Sequence, residues 1–324
     1  MKKIITRVHY CKKGENLKLK KSNRILISGT VALFLLTACS NNEKEEYFVK
    51  AESEKVEHIH GAGYLGEEQA PVIATHSGLF KYENGSWYKT TENNHDYMGF
   101  QTFKDGFYAS GHPEEGSDLK NPLGLTKSTG EGKSLEKLAF YGETDFHYLG
   151  ASYETGTIYA VNEMPNSKIG TGVFYTKNEG KDWTQAKLNG VTSDSLGGLD
   201  VHPSKDNLIA IYAKEGIFLS ENYGKDFSLI QTKGTVTSLV FREDSIVYSM
   251  LEGNKPVLHE INLNDKQDKK LNELSLTAEN PPIYLEVNYQ KENEMMFVTA
   301  KNDVYTTQDQ KEGWTKILSN GKTE

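Results

Sequence analysis

Short runs of alternating apolar and polar residues, each closed by a polar turn, fill most of the chain. "GLFKYENGSWYKT", "GVFYTKNEGKDWTQ", "GIFLSENYGKDFSLI" and "DVYTTQDQKEGWTKI" share one plan. Each opens on glycine or an acidic residue and an apolar pair, passes through a turn with Asn or Asp and Gly, and resumes at an aromatic residue. The period of two predicts strands, and the turn chemistry predicts a hairpin. Upstream of the hairpins lie further strand-like runs: "YLGASYETGTIYAVN" before Gly172, "GGLDVHPSKDNLIAIYA" before Gly216 and "LEVNYQKENEMMFVTA" before Asp303. Four short strands every 40 to 50 residues predict the blades of a β-propeller. The fold class expected is all-β, a six-bladed propeller of four-stranded blades. Its blades fall at 56–91, 92–141, 142–190, 191–234, 235–278 and 279–322. Blade five keeps convincing strands in "SIVYSML" and "VLHEINL", but its turn "NDKQDKKL" has lost the motif. No helix is expected beyond the leader.

The first residues follow a different pattern. Nine Lys and Arg residues precede an apolar run, "ILISGTVALFLLTA", that ends at Cys39. A basic lead before a short apolar core is the pattern of an export signal, and the core is too short to span a bilayer. "LTAC" (Leu36–Cys39) resembles the lipobox of bacterial lipoproteins, which implies cleavage before Cys39 and diacylation of its sulfur. The alternative is an ordinary signal peptide with an incidental cysteine. The organisation expected is a lipoprotein signal peptide at 1–38, then lipidated Cys39 and a flexible tether at 39–55, then the propeller at 56–322. "EEYFVKA", within the tether, could add a strand near the ring's seam. The only cysteines are Cys11 and Cys39, so the mature chain keeps no thiol for a disulfide or a metal. The implied localisation is the outer face of the cell membrane, with the lipid as membrane partner.

"TKNEGKDW" (Thr176–Trp183) and "SENYGKDF" (Ser220–Phe227) resemble the Asp-box, or BNR repeat, of sialidase, sortilin and photosystem-assembly-factor propellers. In that motif the Asn or Asp side chain bonds turn amides, glycine takes the left-handed position and the aromatic wedges between blades. Trp87, Trp183, Phe227 and Trp314 are accordingly read as wedges. "STGEGKSL" (Ser128–Leu135) imitates a phosphate loop, but the required first glycine is Lys127. It falls where blade two needs its hairpin turn.

Charge and composition narrow the chemistry. Residues 1–38 hold nine of the 37 basic residues and one of the 45 acidic ones, which leaves 28 basic against 44 acidic in the rest. Such a surface repels nucleic acid. Arg242 is the one arginine after Cys39, so the three-arginine carboxylate clamp of a sialidase is excluded. Other glycosidases need two carboxylates across the scissile bond. Asp96, Glu143, Asp145, Glu163, Asp194 and Asp200 could supply them, and Asp96, Asp145 and Glu163 are the catalytic candidates.

Six of the eight histidines after Cys39 fall in blades one to three: His58, His60, His76, His95, His112 and His147. The first strand of a blade lines the central channel. Aligning "HIHGAG", "NHDYMG" and "TDFHYLG" on Gly63, Gly99 and Gly150 puts His60, Asp96 and His147 three residues earlier and His58, Asn94 and Asp145 five earlier. Residues two apart on a strand share a face. The turns after the second strands, which carry His76, His112 and Asn162-Glu163-Met164, return to the same end. The ligand-binding set expected is His58, His60, His76, His95, Asp96, His112, Asp145 and His147, at one mouth of the channel. His202 and His259 fall outside it.

Neutral imidazoles with carboxylates suit zinc, copper, nickel or iron, zinc or copper foremost, with His58, His60 and His147 as ligands; Met98 and Met164 nearby admit copper among them. The set "HIHG", "ATHSGLF", "DYMGF", "SGHP", "NPLGL" and "GETDFH" resembles a group of exported bacterial propellers named glycosylhydrolases by fold, a resemblance that brings no substrate. Three functions stay open. They are binding of a metal or small polar ligand, hydrolysis of an envelope glycan, and scaffolding of another envelope protein.

Overall fold

The computed structural model describes residues 46–309 and 313–323. The expected signal peptide and Cys39 lie outside the described residues. Strand β1 (Phe48–Lys50) precedes the ring. Blade one comprises β2 (Ile59–Leu65), β3 (Ala70–Thr75), β4 (Gly78–Glu83) and β5 (Ser86–Thr90). Blade two comprises β6 (Asp96–Phe103), β7 (Gly106–His112), β8 (Leu125–Thr129) and β9 (Glu136–Ala139). Blade three comprises β10 (Leu149–Ala151), β11 (Ile158–Asn162), β12 (Gly172–Thr176) and β13 (Thr184–Gln185). Blade four comprises β14 (Gly198–Val201), β15 (Ile209–Ala213), β16 (Gly216–Ser220) and β17 (Ser228–Gln231). Blade five comprises β18 (Thr235–Phe241), β19 (Ser245–Glu252), β20 (Lys255–Asn262) and β21 (Asp268–Glu273). Blade six comprises β22 (Pro282–Val287), β23 (Met295–Thr299), β24 (Val304–Thr307) and β25 (Thr315–Leu318).

Each blade is built on a four-stranded antiparallel meander, to which blade one adds β1, and the fold is a six-bladed β-propeller. The first strands β2, β6, β10, β14, β18 and β22 touch in that order, and β22 returns to β2. Blade five forms its four strands without the expected turn motif. Its long strands are held by burial on both faces: β19 buries six consecutive residues, Ser245–Met250.

The apolar positions face neighbouring blades, so the core lies between sheets. Ile59, Tyr64, Phe80 and Trp87 of blade one pack with Met296, Val298 and Leu318 of blade six. Fully buried residues of this size, such as Ile73 and Leu79, each contribute about 2 kcal/mol through burial. In the turn of blade three, Thr176 Oγ1 accepts from Gly180 N at 2.9 Å and Asn178 Oδ1 accepts from Asp182 N at 2.9 Å. Ser220 and Asn222 repeat both bonds in blade four. Trp183 then lies against Phe140 and Phe146, at 5.6 and 6.0 Å between ring centroids.

One expectation is corrected at the N-terminal side. Residues 39–55 are not tether throughout: within "EEYFVKA", where a strand near the seam is expected, Phe48–Lys50 pairs with β5 and makes blade one five-stranded. The chain then crosses the seam. Val56 N donates to Gly321 O at 2.7 Å, Thr323 N to Glu54 O at 3.1 Å, and Trp87 Nε1 to Ile317 O at 2.7 Å. Gly321 has φ +71°, and a Cβ there would lie 2.0 Å from Val56 O. The ring is thus closed by backbone bonds between its two ends, with no strand exchanged between first and last blades among the described residues.

Candidate functional site

The strand register decides which side chains reach the channel mouth. In β2 the pairing slips between Ile59 and Gly61, so His60 is an extra, bulged residue. In β6 it slips between Tyr97 and Gly99, which makes Met98 the bulged residue. In blade three, Leu149 pairs with Ala160 and Val161 N donates to Tyr148 O at 3.0 Å, so His147 takes the same place. The level positions are therefore His60, Met98 and His147. One residue before each, Ile59, Tyr97 and Phe146 are buried in three core clusters. One residue before those stand His58, Asp96 and Asp145. An apolar anchor that points into the blade turns both its neighbours toward the channel. The glycine alignment consequently needs correction: Asp96 is level with His58 and Asp145, not with His60.

Two connected groups result. His60 and His76 share a hydrogen bond between their Nε2 atoms at 3.2 Å, and His76 Nδ1–H donates to Asp96 Oδ1 at 2.7 Å. The ligand atoms of His60, His76 and Asp96 all lie within 4.8 Å of one another. His58 stands beside them, its ring 5.2 Å from that of His76 and 6.1 Å from that of His60. In the second group Asp145 Oδ2 lies 3.3 Å from His112 Nε2 and 3.4 Å from His147 Nε2. Glu163 Oε2 lies 3.3 Å from His147 Nδ1, and His112 Nδ1–H donates to Asn121 Oδ1 at 2.6 Å. Asp145 Oδ1 is buried without a partner.

Burial and the neighbouring imidazoles of His76, His58 and His147 push the His60 pKa down to about 4, against the nearby charge of Asp96. His60 is therefore neutral at pH 7 with a ring nitrogen free to ligate. Burial pushes the Asp145 carboxyl up, partly offset by His147 and His112.

The structure thus brings together His58, His60, His76 and Asp96, and beside them His112, Asp145, His147 and Glu163. It does not bring His95 there. His95 is buried, its ring 5.8 Å from that of Tyr97, and its Nδ1 accepts from Glu114 N at 3.1 Å. It precedes Asp96 by one residue and faces the other way. His147 lies in the second group, so of the three expected metal ligands only His58 and His60 flank His76. His202 and His259 are buried elsewhere: His202 Nε2–H donates to Glu243 O at 2.8 Å, and His259 sits between Glu252 and Asp268.

Below the mouth lies a channel cavity of about 300 Å3 with His60 and His147 at its rim. All six first strands or the residues just before them line it, and it contains two carboxyls, Asp200 and Glu286. At the far end Tyr153 of blade three and Tyr289 of blade six meet across the axis, with ring centroids 4.8 Å apart, and Gln290 Nε2 donates to Tyr153 OH at 3.2 Å. Those blades are opposite in the ring, so the contact spans the axis at that end.

Glu286 was not singled out by the sequence, because an isolated acidic residue in "YLEVNY" reads as an outward strand position; only the channel-facing phase of the six first strands would have found it. Burial pushes Asp200 up to about 7, despite hydrogen bonds from the Phe241 and Val201 amides, and pushes Glu286 well above its usual range. A raised native pKa makes the Asp200 contribution to stability greatest below the ordinary value of 3.8 and erodes it as pH rises to about 7. Asp200→Asn should therefore gain stability relative to the parent across pH 4 to 7, by about 2–4 kcal/mol at the upper end. Thermal unfolding of both proteins across that range checks it; a difference independent of pH would contradict the assignment.

No protein-family model matches the sequence, and no curated protein is similar to it. Solved structures do resemble it. A GH74 xyloglucanase from Xanthomonas campestris has TM-score 0.53 at 12% identity, over 84% of this chain and 46% of that one. The Niastella koreensis GH74 enzyme has TM-score 0.55 at 14% identity, over 84% and 47%. YCF48 bound to D1 peptide has TM-score 0.50 at 13% identity, over 84% and 85%. The chain spans less than half the length of the two GH74 enzymes. At these identities the likeness is one of fold.

Proposed function

We propose that this protein is a propeller lipoprotein that binds a transition metal ion at the channel mouth, through His60 and His76. The observation that carries the reading is the approach of two imidazole Nε2 atoms to 3.2 Å, with Asp96 on the far nitrogen of His76. Two nitrogens bound to one tetrahedral ion at about 2.0–2.1 Å stand roughly 3.3–3.4 Å apart. Asp96 then fixes the His76 tautomer that leaves Nε2 unprotonated, the usual task of a carboxylate behind a metal-bound histidine. The ion displaces the single proton between the two rings. His58 lies at hand, and the channel below offers space for a small polar ligand on the bound ion. Competition titration of the metal-free protein with zinc against a chromophoric chelator tests the reading. One equivalent bound tighter than about 1 µM is expected; no binding at that level overturns it.

Export and anchoring on Cys39 belong to the same reading, supported by the basic lead, the apolar run and "LTAC". Cys39→Ser should move the protein from the membrane to the soluble fraction. The Asp-box resemblance is supported by the paired turn bonds of Thr176 with Asn178 and Ser220 with Asn222.

A second reading is a hydrolase acting on an envelope glycan, suggested by the GH74 likeness. The observation that favours it is Asp145, half-enclosed between two histidines with one oxygen unpartnered and its pKa raised toward that of a general acid. Turnover of a cell-wall saccharide abolished by Asp145→Asn would establish it. A scaffold role, as the YCF48 likeness suggests, would show as capture of an envelope protein that survives loss of His60 and His76.

A further inference from the structure

We propose that the ion held by His60 and His76 is copper in its monovalent state, with the Met98 thioether completing its ligand set. This rests on the metal-binding reading above and adds the identity of the metal. The argument starts from register. Met98 is the bulged residue of β6, level with His60 on one side and His147 on the other. Asp96, two residues earlier on the same strand, already reaches His76 of blade one. A residue two further along shares that face and lies one level deeper, just as His60 lies one level deeper than His58. The same level in the other three blades carries no side chain of this chemistry: Gly197 in blade four, Thr237 in blade five and Ile283 in blade six.

The distribution of methionine agrees. Met250, Met295 and Met296 are fully buried in the blades, as apolar filling requires. Met98 is half-buried, and Met164 is 76% exposed in the turn that carries Glu163 to His147. Each methionine outside the core, among the described residues, is thus placed by the chain at the histidine mouth. An exposed thioether gains nothing from burial, and oxygen-preferring cations do not select one. Thioether with imidazole is the ligand choice that selects monovalent copper over zinc, because the soft ion binds sulfur strongly. No cysteine occurs after Cys39, so methionine is the soft ligand open to a mature chain of this kind.

The test uses the full chain carrying Cys11→Ser and Cys39→Ser, so that every sulfur atom is a methionine. Monovalent copper is titrated anaerobically, with excess reductant, against a copper(I)-specific chelator, and zinc is titrated separately. Met98→Leu, which keeps the volume of the side chain, should weaken copper(I) binding by about tenfold or more and change zinc binding by less than about threefold. Copper K-edge absorption should show a sulfur neighbour in the parent that Met98→Leu removes. If zinc binds and copper(I) binding is the same in Met98→Leu as in the parent, or no sulfur neighbour is seen, the copper assignment is overturned while the metal site stands. If neither ion binds, both the site and this inference fall.

Discussion

Alanine at His60 should lower zinc affinity by at least about 100-fold, since it removes a ligand, whereas Asp96→Asn should lower it by about 10- to 100-fold by releasing the His76 ring. Both residues are partly buried in the free protein, and His60 meets His76 at 3.2 Å while Asp96 meets it at 2.7 Å. His76→Ala should equal His60→Ala, because each supplies one nitrogen. His95 provides the control. Its side chain is turned into the blade against Tyr97, so His95→Gln should leave zinc affinity within about twofold while it lowers stability. The readout is the chelator titration, with circular dichroism to confirm that each variant keeps its sheets. Equal losses at His95 and His60 would mean that the histidines act through general destabilisation.

Gly99→Ala should be strongly destabilising, through a contact between two blades. Gly99 follows Met98 on the channel side of blade two, where β6 runs close against the start of blade three. A Cβ at that position would sit 2.1 Å from the Phe146 carbonyl oxygen. No rotamer relieves a clash with backbone, so the blades must separate. We expect a loss of about 3 kcal/mol or more, which for a domain of this size is a fall in melting temperature of roughly 6–12 °C. Phe146 lies between Asp145 and His147, so the same movement carries the second group of site residues away from Met98. Gly170, exposed and with open space around its Cβ position, is the matched control: Gly170→Ala should change stability by less than about 0.5 kcal/mol. Thermal unfolding of the two variants beside the parent decides it.

Much of this fold can be read in the chain because a propeller repeats one short pattern. Alternation of apolar and polar residues, with a glycine-containing hairpin turn after the third strand in every blade but the fifth, sets the strands and their number. Even blade five, without the turn motif, keeps its place, since its neighbours require a sheet there to cover their own apolar faces. The ends were harder to read. The strand Phe48–Lys50 showed in "EEYFVKA", but its pairing with β5 follows from the position of the seam, which no local pattern encodes.

The site was legible in kind and inexact in register. Glycine is a poor ruler because Gly61, Gly63, Gly99 and Gly150 serve close packing at different levels of the strands. The apolar anchor is the better one: His-Ile-His, Asp-Tyr-Met and Asp-Phe-His are the same three positions in successive blades, and on that reading Met98 falls into line with two histidines. The same rule explains His95, one residue out of phase. Glu286 needed the phase of a strand whose sequence shows no cluster, and the meeting of Tyr153 with Tyr289 depends on blades that stand opposite each other only once the ring has closed.

The most direct measurement is anomalous diffraction from crystals soaked with copper or zinc, recorded on both sides of the metal's absorption edge. A single strong peak within bonding distance of His60 Nε2 and His76 Nε2, with Asp96 still on the far side of the His76 ring, is the predicted result. An absent peak at the channel mouth, or a peak confined to His202 or His259, would contradict the account.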